Sequence, residues 1–117
     1  MNVFLVFIGG GIGCVLRYLI GLLIQKTDLS LPVGTLIANV LACVIFALAL
    51  ELIQKNTGNP DPVKLLLLTG FCGGLSTFST FGYESYLLIK QQQFMWFSLN
   101  VFINFSLCIT AFFLIKK

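Results

Sequence analysis

The sequence predicts an all-α membrane protein of four transmembrane helices, the third of them broken near mid-membrane. Composition is the first reason: 58% of the 117 residues are hydrophobic and 9% are charged, against about 25% charged in a soluble domain. The second is spacing, because four apolar runs, near residues 3–24, 32–53, 65–89 and 94–115, each match the roughly 20 residues that span a bilayer. The third is that only short polar connections separate them, so the chain reads as a single four-helix transmembrane domain over residues 1–117 with lipid as its solvent.

The first span, Val3 to Ile24, contains Gly9, Gly10, Gly11 and Gly13 and a single charge, Arg17. It is too long for a signal peptide and lacks the basic start of one. Ser30 and Pro32 read as an N-cap with proline in the first turn of the second span, whose polar members are Thr35, Asn39 and Glu51. The longest loop, Gln54 to Val63, ends on Asp61 and Pro62, again a helix start. The third span opens on an aliphatic run and changes character at Gly73, Gly74, Leu75, Ser76, Thr77, Phe78, Ser79, Thr80 and Phe81. Two adjacent glycines followed by hydroxyl residues make a poor continuous helix, and lipid tolerates non-helical backbone only where protein or a water-filled cavity surrounds it. The fourth span, Phe94 to Ile115, carries Asn100 and Asn104 one turn apart, with Trp96 near its start and Lys116 and Lys117 at its end.

Charge sets orientation weakly. Lys55, Lys64, Lys116 and Lys117 fall on the N-terminal side of the membrane and Lys26 and Lys90 on the other, a bias toward N-inside that leaves insertion both ways open. The net charge of +3 comes from lysines at span ends, where they anchor helices to headgroups, so nucleic acid is not an expected partner. Cys14, Cys43, Cys72 and Cys108 fall one to each span, without the close spacing of a metal site or redox pair, and read as small packing residues.

Arg17 lies about 13 Å along the helix from Lys26, deep for an unpaired guanidinium, and Glu84, about 9 Å from Lys90, falls in the same half of the membrane. The geometry allows a salt bridge between them, and the two read either as charges that snorkel or pair purely to hold helices together or as charges at an aqueous pathway. Thr35 and Asn39 share one face of the second span. The Asn39 amide reads equally as interhelical glue and as an anion donor with no proton to lose. Phe78 and Phe81 sit among hydroxyl residues rather than aliphatic ones, and the positive edge of an aromatic ring can hold an anion, with Ser79 and Thr80 as hydroxyl donors beside it.

Through three motifs, GGGIGCVLRY at Gly9 to Tyr18, GTLIAN at Gly34 to Asn39 and GFCGGLSTFSTF at Gly70 to Phe81, the chain resembles the CrcB family of fluoride channels, also called Fluc, over essentially its whole length. The resemblance implies a fluoride-specific channel in the bacterial cell membrane that passively exports fluoride trapped after hydrofluoric acid dissociates in the cytoplasm. It implies an antiparallel, dual-topology dimer with two ion pathways lined by both chains, and a structural, untransported sodium ion at its centre. By position, Phe78, Phe81 and Asn39 match the family's pore residues, Ser79 and Thr80 its hydroxyl track, and Glu84 and Arg17 its embedded charges. Asn100 stands where many members have a pore tyrosine and Asn104 where they have serine. The sodium ligands would be the carbonyl oxygens of Gly73 and Ser76; Ser76 replaces the family's common threonine, which a backbone ligand does not feel, and Ala42 stands where glycine is frequent.

Two other readings compete. A small multidrug exporter shares the size and span count but couples transport through a carboxylate in its first span, where this chain has only Arg17, which would repel a cationic drug. A second is a subunit that pairs with an unlike paralogue. Catalysis is not expected, since the chain has no histidine and no nucleophile spaced beside a base.

Overall fold

The computed structural model describes residues 1–25, 31–55, 58 and 61–116. The expected cap at Ser30 and the end anchors Lys26 and Lys117 lie outside them. Four helical segments are long and apolar enough to cross a membrane: Asn2–Ile24, Val33–Lys55, Asp61–Lys90 and Phe94–Ile115. At 1.5 Å per residue each 23-residue helix reaches about 34 Å, enough for a hydrocarbon core of about 30 Å. The second helix begins just after Pro32, whose carbonyl accepts from the Leu36 N–H at 3.3 Å, and the third begins at Asp61, as the Asp61–Pro62 pair predicts. The third and fourth are joined by a tight turn in which Gln92 has φ 58.

Burial is inverted relative to a soluble protein. Phe4, Phe7, Phe102 and Phe113 are exposed, while alanines, Ala38, Ala42, Ala47, Ala49 and Ala111, make up most of the buried hydrophobic residues described. Lipid chains are as apolar as leucine, so burying large side chains gains little, and helices associate where small residues let backbones approach. The first helix packs on the front half of the third in this way. A Cβ at Gly9 would run into the Leu66 carbonyl, one at Gly13 into the Phe71 carbonyl and to 2.8 Å from the Leu75 nitrogen, and one at Gly74 into the Gly10 carbonyl. The second helix packs on the fourth, with Phe46 and Phe112 edge to face at 5.8 Å. Leu75, wholly buried against Ala38 and Ala42, with Leu16, Ile20 and Phe71 around it, ties the first three helices together.

The third segment is not one regular helix. Asp61–Val63 leads into a π-helical stretch, Lys64–Cys72, then a last α-helical piece, Gly73–Leu75. Wide π turns of this kind recur at functional sites. The chain is then extended at Ser76 (φ −79, ψ 154) and Thr77 (φ −150, ψ 122) before the helix resumes over Phe78–Lys90. The break therefore falls near the middle of the segment, but not at the glycines that suggested it: Gly73 is helical, at φ −63 and ψ −36. Gly74 serves contact with the first helix instead, because only a residue without a Cβ fits against Gly10.

This packing makes a contrast. Gly13→Ala should lower stability by about 1–3 kcal/mol, the usual range for overpacking, because a backbone carbonyl cannot swing aside. Gly11→Ala, with nothing within 4 Å of its Cβ, should be neutral or stabilising by up to about 1 kcal/mol through helix propensity. Unfolding in detergent micelles measures both, and equal losses would show that the glycines are not the contact surface.

Candidate functional site

Breaking a helix strands backbone groups, and the site is built from the side chains that satisfy them. The Thr77 N–H, which a continuous helix would aim at the Gly73 carbonyl, donates to Asn39 Oδ1 at 2.8 Å. Asn39 Nδ2 donates back to the Thr77 carbonyl at 3.4 Å, so one amide of the second helix holds both polar ends of the extended residue. The resumed helix is capped by Thr77 itself, whose Oγ1 accepts from the Thr80 N–H at 3.2 Å, as a threonine N-cap should. From the first helix, Arg17 Nε donates to the Gly74 carbonyl at 3.2 Å, whose helical partner the break removed.

Arg17 and Glu84 do not form the ion pair that their similar depth allows. Among the described residues the salt bridge present is Lys55 to Glu51 at 2.9 Å. The stranded Gly74 carbonyl takes the guanidinium, and Glu84 Oε1 accepts instead from Thr35 Oγ1 at 2.7 Å. Glu84 Oε2 is buried with no partner among the described groups. Arg17, Thr35, Thr77, Thr80 and Glu84 nonetheless line one cavity of about 520 Å³, bounded also by Gly21, Gly34 and Gln25.

A second cavity of about 240 Å³ is lined by Asn39, Thr77, Phe78, Phe81, Asn104 and Phe105, with Cys43, Ser76, Cys108 and Ile109. Phe78 is 77% exposed and Phe81 8%, so one ring stands at its mouth and the other in its wall. Their centroids are 5.7 Å apart, and Phe81 meets Phe105 edge to face at 6.3 Å and 79°. The polar wall is a run of amides. Asn39 Nδ2 reaches Asn104 Oδ1 at 3.4 Å, Asn104 Nδ2 donates to Asn100 Oδ1 at 2.9 Å, and Asn100 Nδ2 donates to Ser85 Oγ at 3.2 Å. Thr77 lines both cavities, which makes the break their junction.

The candidates from sequence thus separate. Asn39, Phe78, Phe81 and Asn104 share the smaller cavity, and Arg17, Thr35, Thr80 and Glu84 the larger. Ser79 is exposed, with Oγ 3.3 Å from Thr77 Oγ1, and Asn100 is wholly buried behind Asn104. Sequence reading passed over Thr77, Phe105 and Ser85 as site residues. The cap pattern of a threonine three residues before Thr80 was a usable signal for the first; nothing in the sequence distinguishes Phe105 from the other phenylalanines.

Aromatic rings, a hydrogen-bonded row of amides and an adjoining polar cavity thus meet at Thr77. Residues 4–115 match the family described as CrcB-like protein, Camphor Resistance (CrcB). The chain is 44% identical to the fluoride-specific ion channel FluC 1 of Yersinia pseudotuberculosis over 96% of its length and 91% of that protein's. It is 43% identical to the fluoride-specific ion channel FluC of Escherichia coli O139:H28 and to that of Shigella boydii serotype 18, over 93% of this chain and 89% of each. This chain belongs to the CrcB family.

Asn39→Leu should remove both bonds to Thr77 and leave a buried N–H and carbonyl unpaired. A loss of about 2–6 kcal/mol in unfolding free energy is expected, at about 1–3 per stranded group. Stability equal to the parent chain would mean that the amide does not hold the break.

Proposed function

We propose that the chain is a fluoride-specific channel that exports fluoride passively across the bacterial cell membrane, working as an antiparallel dimer with a structural sodium ion. The observation that carries the reading is the smaller cavity, where the Phe78, Phe81 and Phe105 rings meet the Asn39 and Asn104 amides. Fluoride is small, strongly hydrated and hard to dehydrate. Ring edges bearing partial positive charge, with neutral amide and hydroxyl donors, replace its water without a fixed cation that would trap it. The larger cavity, with Arg17 at its wall, serves as the entry in which an anion gathers before reaching Thr77. An inside-negative membrane potential supplies the drive, about 2.3 kcal/mol per charge per 100 mV. The names of the relatives, fluoride-specific ion channels, support this assignment of the ion.

Sodium fits the same break. The donors that helical continuation would give to the Gly73 and Ser76 carbonyls are spent elsewhere: Thr77 N–H goes to Asn39 and Thr80 N–H to Thr77 Oγ1. Both carbonyls thereby lose their helical donor, and a hard cation takes oxygen ligands of this kind. Four such oxygens, two from each chain of a dimer, would hold it with no side chain involved, and the ion would neutralise carbonyl dipoles that otherwise face one another where the break sits, near mid-membrane. Cysteine tags on the termini of such a dimer would label from both faces of the membrane in intact cells, and labelling from one face alone would remove the antiparallel arrangement.

Purified protein in liposomes, with a potassium ionophore setting the voltage, tests the channel. Phe81→Ile, which keeps apolar volume but loses the ring edge, should slow fluoride efflux about tenfold, the equivalent of about 1.4 kcal/mol on the barrier. Asn39→Asp retains the acceptor for Thr77 N–H but sets a carboxylate in the anion's route, and efflux should fall at least as far. Normal efflux in both variants would sink the pathway, whereas no efflux from the parent chain alone, restored by an unlike partner chain, would replace the homodimer by a heterodimer.

Replacing sodium by N-methylglucamine on both sides for hours should abolish efflux slowly, and re-addition should restore it. Full activity after exhaustive removal, or radioactive sodium crossing with fluoride, would each show that the cation is not a structural element.

A further inference from the structure

The amides beside the smaller cavity run in one direction, and two backbone groups decide which. A main-chain carbonyl can only accept and a main-chain N–H can only donate. The end of Asn104 that lies 2.9 Å from the Asn100 carbonyl is therefore its nitrogen, and the end of Asn39 that lies 2.8 Å from the Thr77 N–H is its oxygen. Asn104 Nδ2 also lies 2.9 Å from Asn100 Oδ1. Its hydrogens thus have two acceptors on Asn100, and what Asn104 turns toward Asn39 is its oxygen. Asn39 Nδ2 donates to that oxygen at 3.4 Å and to the Thr77 carbonyl at 3.4 Å, both long beside the usual N–H···O distance of about 2.9–3.0 Å. The two asparagines that line the cavity are not equivalent: Asn39 is a donor whose hydrogens are weakly held, and Asn104 is an acceptor whose donors are already committed.

We propose that Asn104 is a specificity-determining residue, whose oxygen holds the Asn39 N–H that a passing anion must take. Only an anion that accepts hydrogen bonds more strongly than an amide oxygen then displaces it. The proposal rests on reading the smaller cavity as the fluoride route. Fluoride is the strongest hydrogen-bond acceptor among the halides and chloride a much weaker one, so the contest that fluoride wins is one that chloride loses. The same oxygen favours release. An anion on Asn39 sits beside the acceptor it has displaced, whose negative end repels it, and the N–H closes back on Asn104 when the ion leaves. The donor is then never left bare in an apolar wall, which is the costly state for a polar group.

Asn100 is the positioning residue. It is wholly buried, and its own Nδ2 donates to Ser85 Oγ at 3.2 Å, which leaves its oxygen as the end that faces Asn104. With both acceptors supplied by one residue a helical turn away, Asn104 turns its nitrogen into the cavity only by giving up two hydrogen bonds.

The test uses the full chain, labelled with nitrogen-15 and held in detergent micelles, with each asparagine NH2 signal assigned by connection to its backbone. Sodium fluoride and sodium chloride are the titrants, at matched ionic strength. In the parent chain fluoride should move the Asn39 NH2 signal further than that of Asn104, and chloride at the same concentration should move neither. An Asn104 signal that moves as far as that of Asn39, or an Asn39 signal that answers chloride as it answers fluoride, would overturn the proposal and leave the cavity as the route. No change with fluoride at either asparagine would remove the route and the proposal together. In liposomes, Asn104→Leu keeps the volume and removes the competing oxygen, so the ratio of chloride to fluoride efflux should rise about three- to tenfold, roughly the worth of one hydrogen bond. Asn100→Leu, which frees the Asn104 amide to turn, should shift that ratio in the same direction. A loss of packing alone would slow efflux without changing the ratio, and an unchanged ratio in both folded variants would overturn the assignment. Where a variant does not fold, the titration of the parent chain decides.

Discussion

A backbone that leaves its helix away from water must have every freed N–H and carbonyl met, since each one left bare costs several kcal/mol in an apolar medium. In this chain that requirement is concentrated at Ser76 and Thr77, and the surrounding structure is arranged to meet it. Asn39 from the second helix takes both polar groups of Thr77, Arg17 from the first takes the Gly74 carbonyl, and Thr77 caps the helix that follows. Asn39 and Arg17 each had a bolder reading in the sequence. Their structural duty does not displace it, because the same groups that satisfy the break are the ones that line the two cavities.

The glycines make the clasp reachable. Arginine can serve a carbonyl of the third segment only if the first helix lies close against it, and contacts such as Gly13 to the Phe71 carbonyl and Gly74 to the Gly10 carbonyl leave no room for a Cβ. The π-helical stretch Lys64–Cys72 occupies the same contact, so the third segment is irregular from before the glycines to Thr77. Leu75, 0% exposed and clustered with Ala38 and Ala42, is the last residue of the helical piece before the break. Conformational freedom of glycine is not what breaks the chain here, for both glycines of the pair lie in the helical piece Gly73–Leu75.

The amide row from Asn39 through Asn104 and Asn100 to Ser85 shows how a polar wall is kept inside an apolar protein. Every amide donates to the next, so none is left to seek a partner among the wall's apolar side chains, and the orientation of each is set by its neighbour. Asn100 does its part without touching either cavity.

Helix number, the apolar faces and the existence of a break were legible from the residues because they are consequences of one-dimensional pattern: runs of about 20 apolar residues, glycine pairs, and hydroxyls where a helix should continue. The motifs GGGIGCVLRY, GTLIAN and GFCGGLSTFSTF were equally sufficient for the family; Phe78 and Phe81 could be picked out because hydroxyl neighbours are the wrong kind for a lipid-facing helix, and Asn39 because an amide in an apolar span needs a hydrogen-bond partner. What one dimension could not decide is which donor meets which acceptor. Arg17 and Glu84 have opposite charge and similar depth, and pairing them follows from that alone; only the fold brings the stranded Gly74 carbonyl to the guanidinium and Thr35 to the carboxylate. The position of the break at Ser76–Thr77, two residues past the glycines, is likewise a product of how the helices pack, because a hydrogen bond or a cavity belongs to no single segment of the chain.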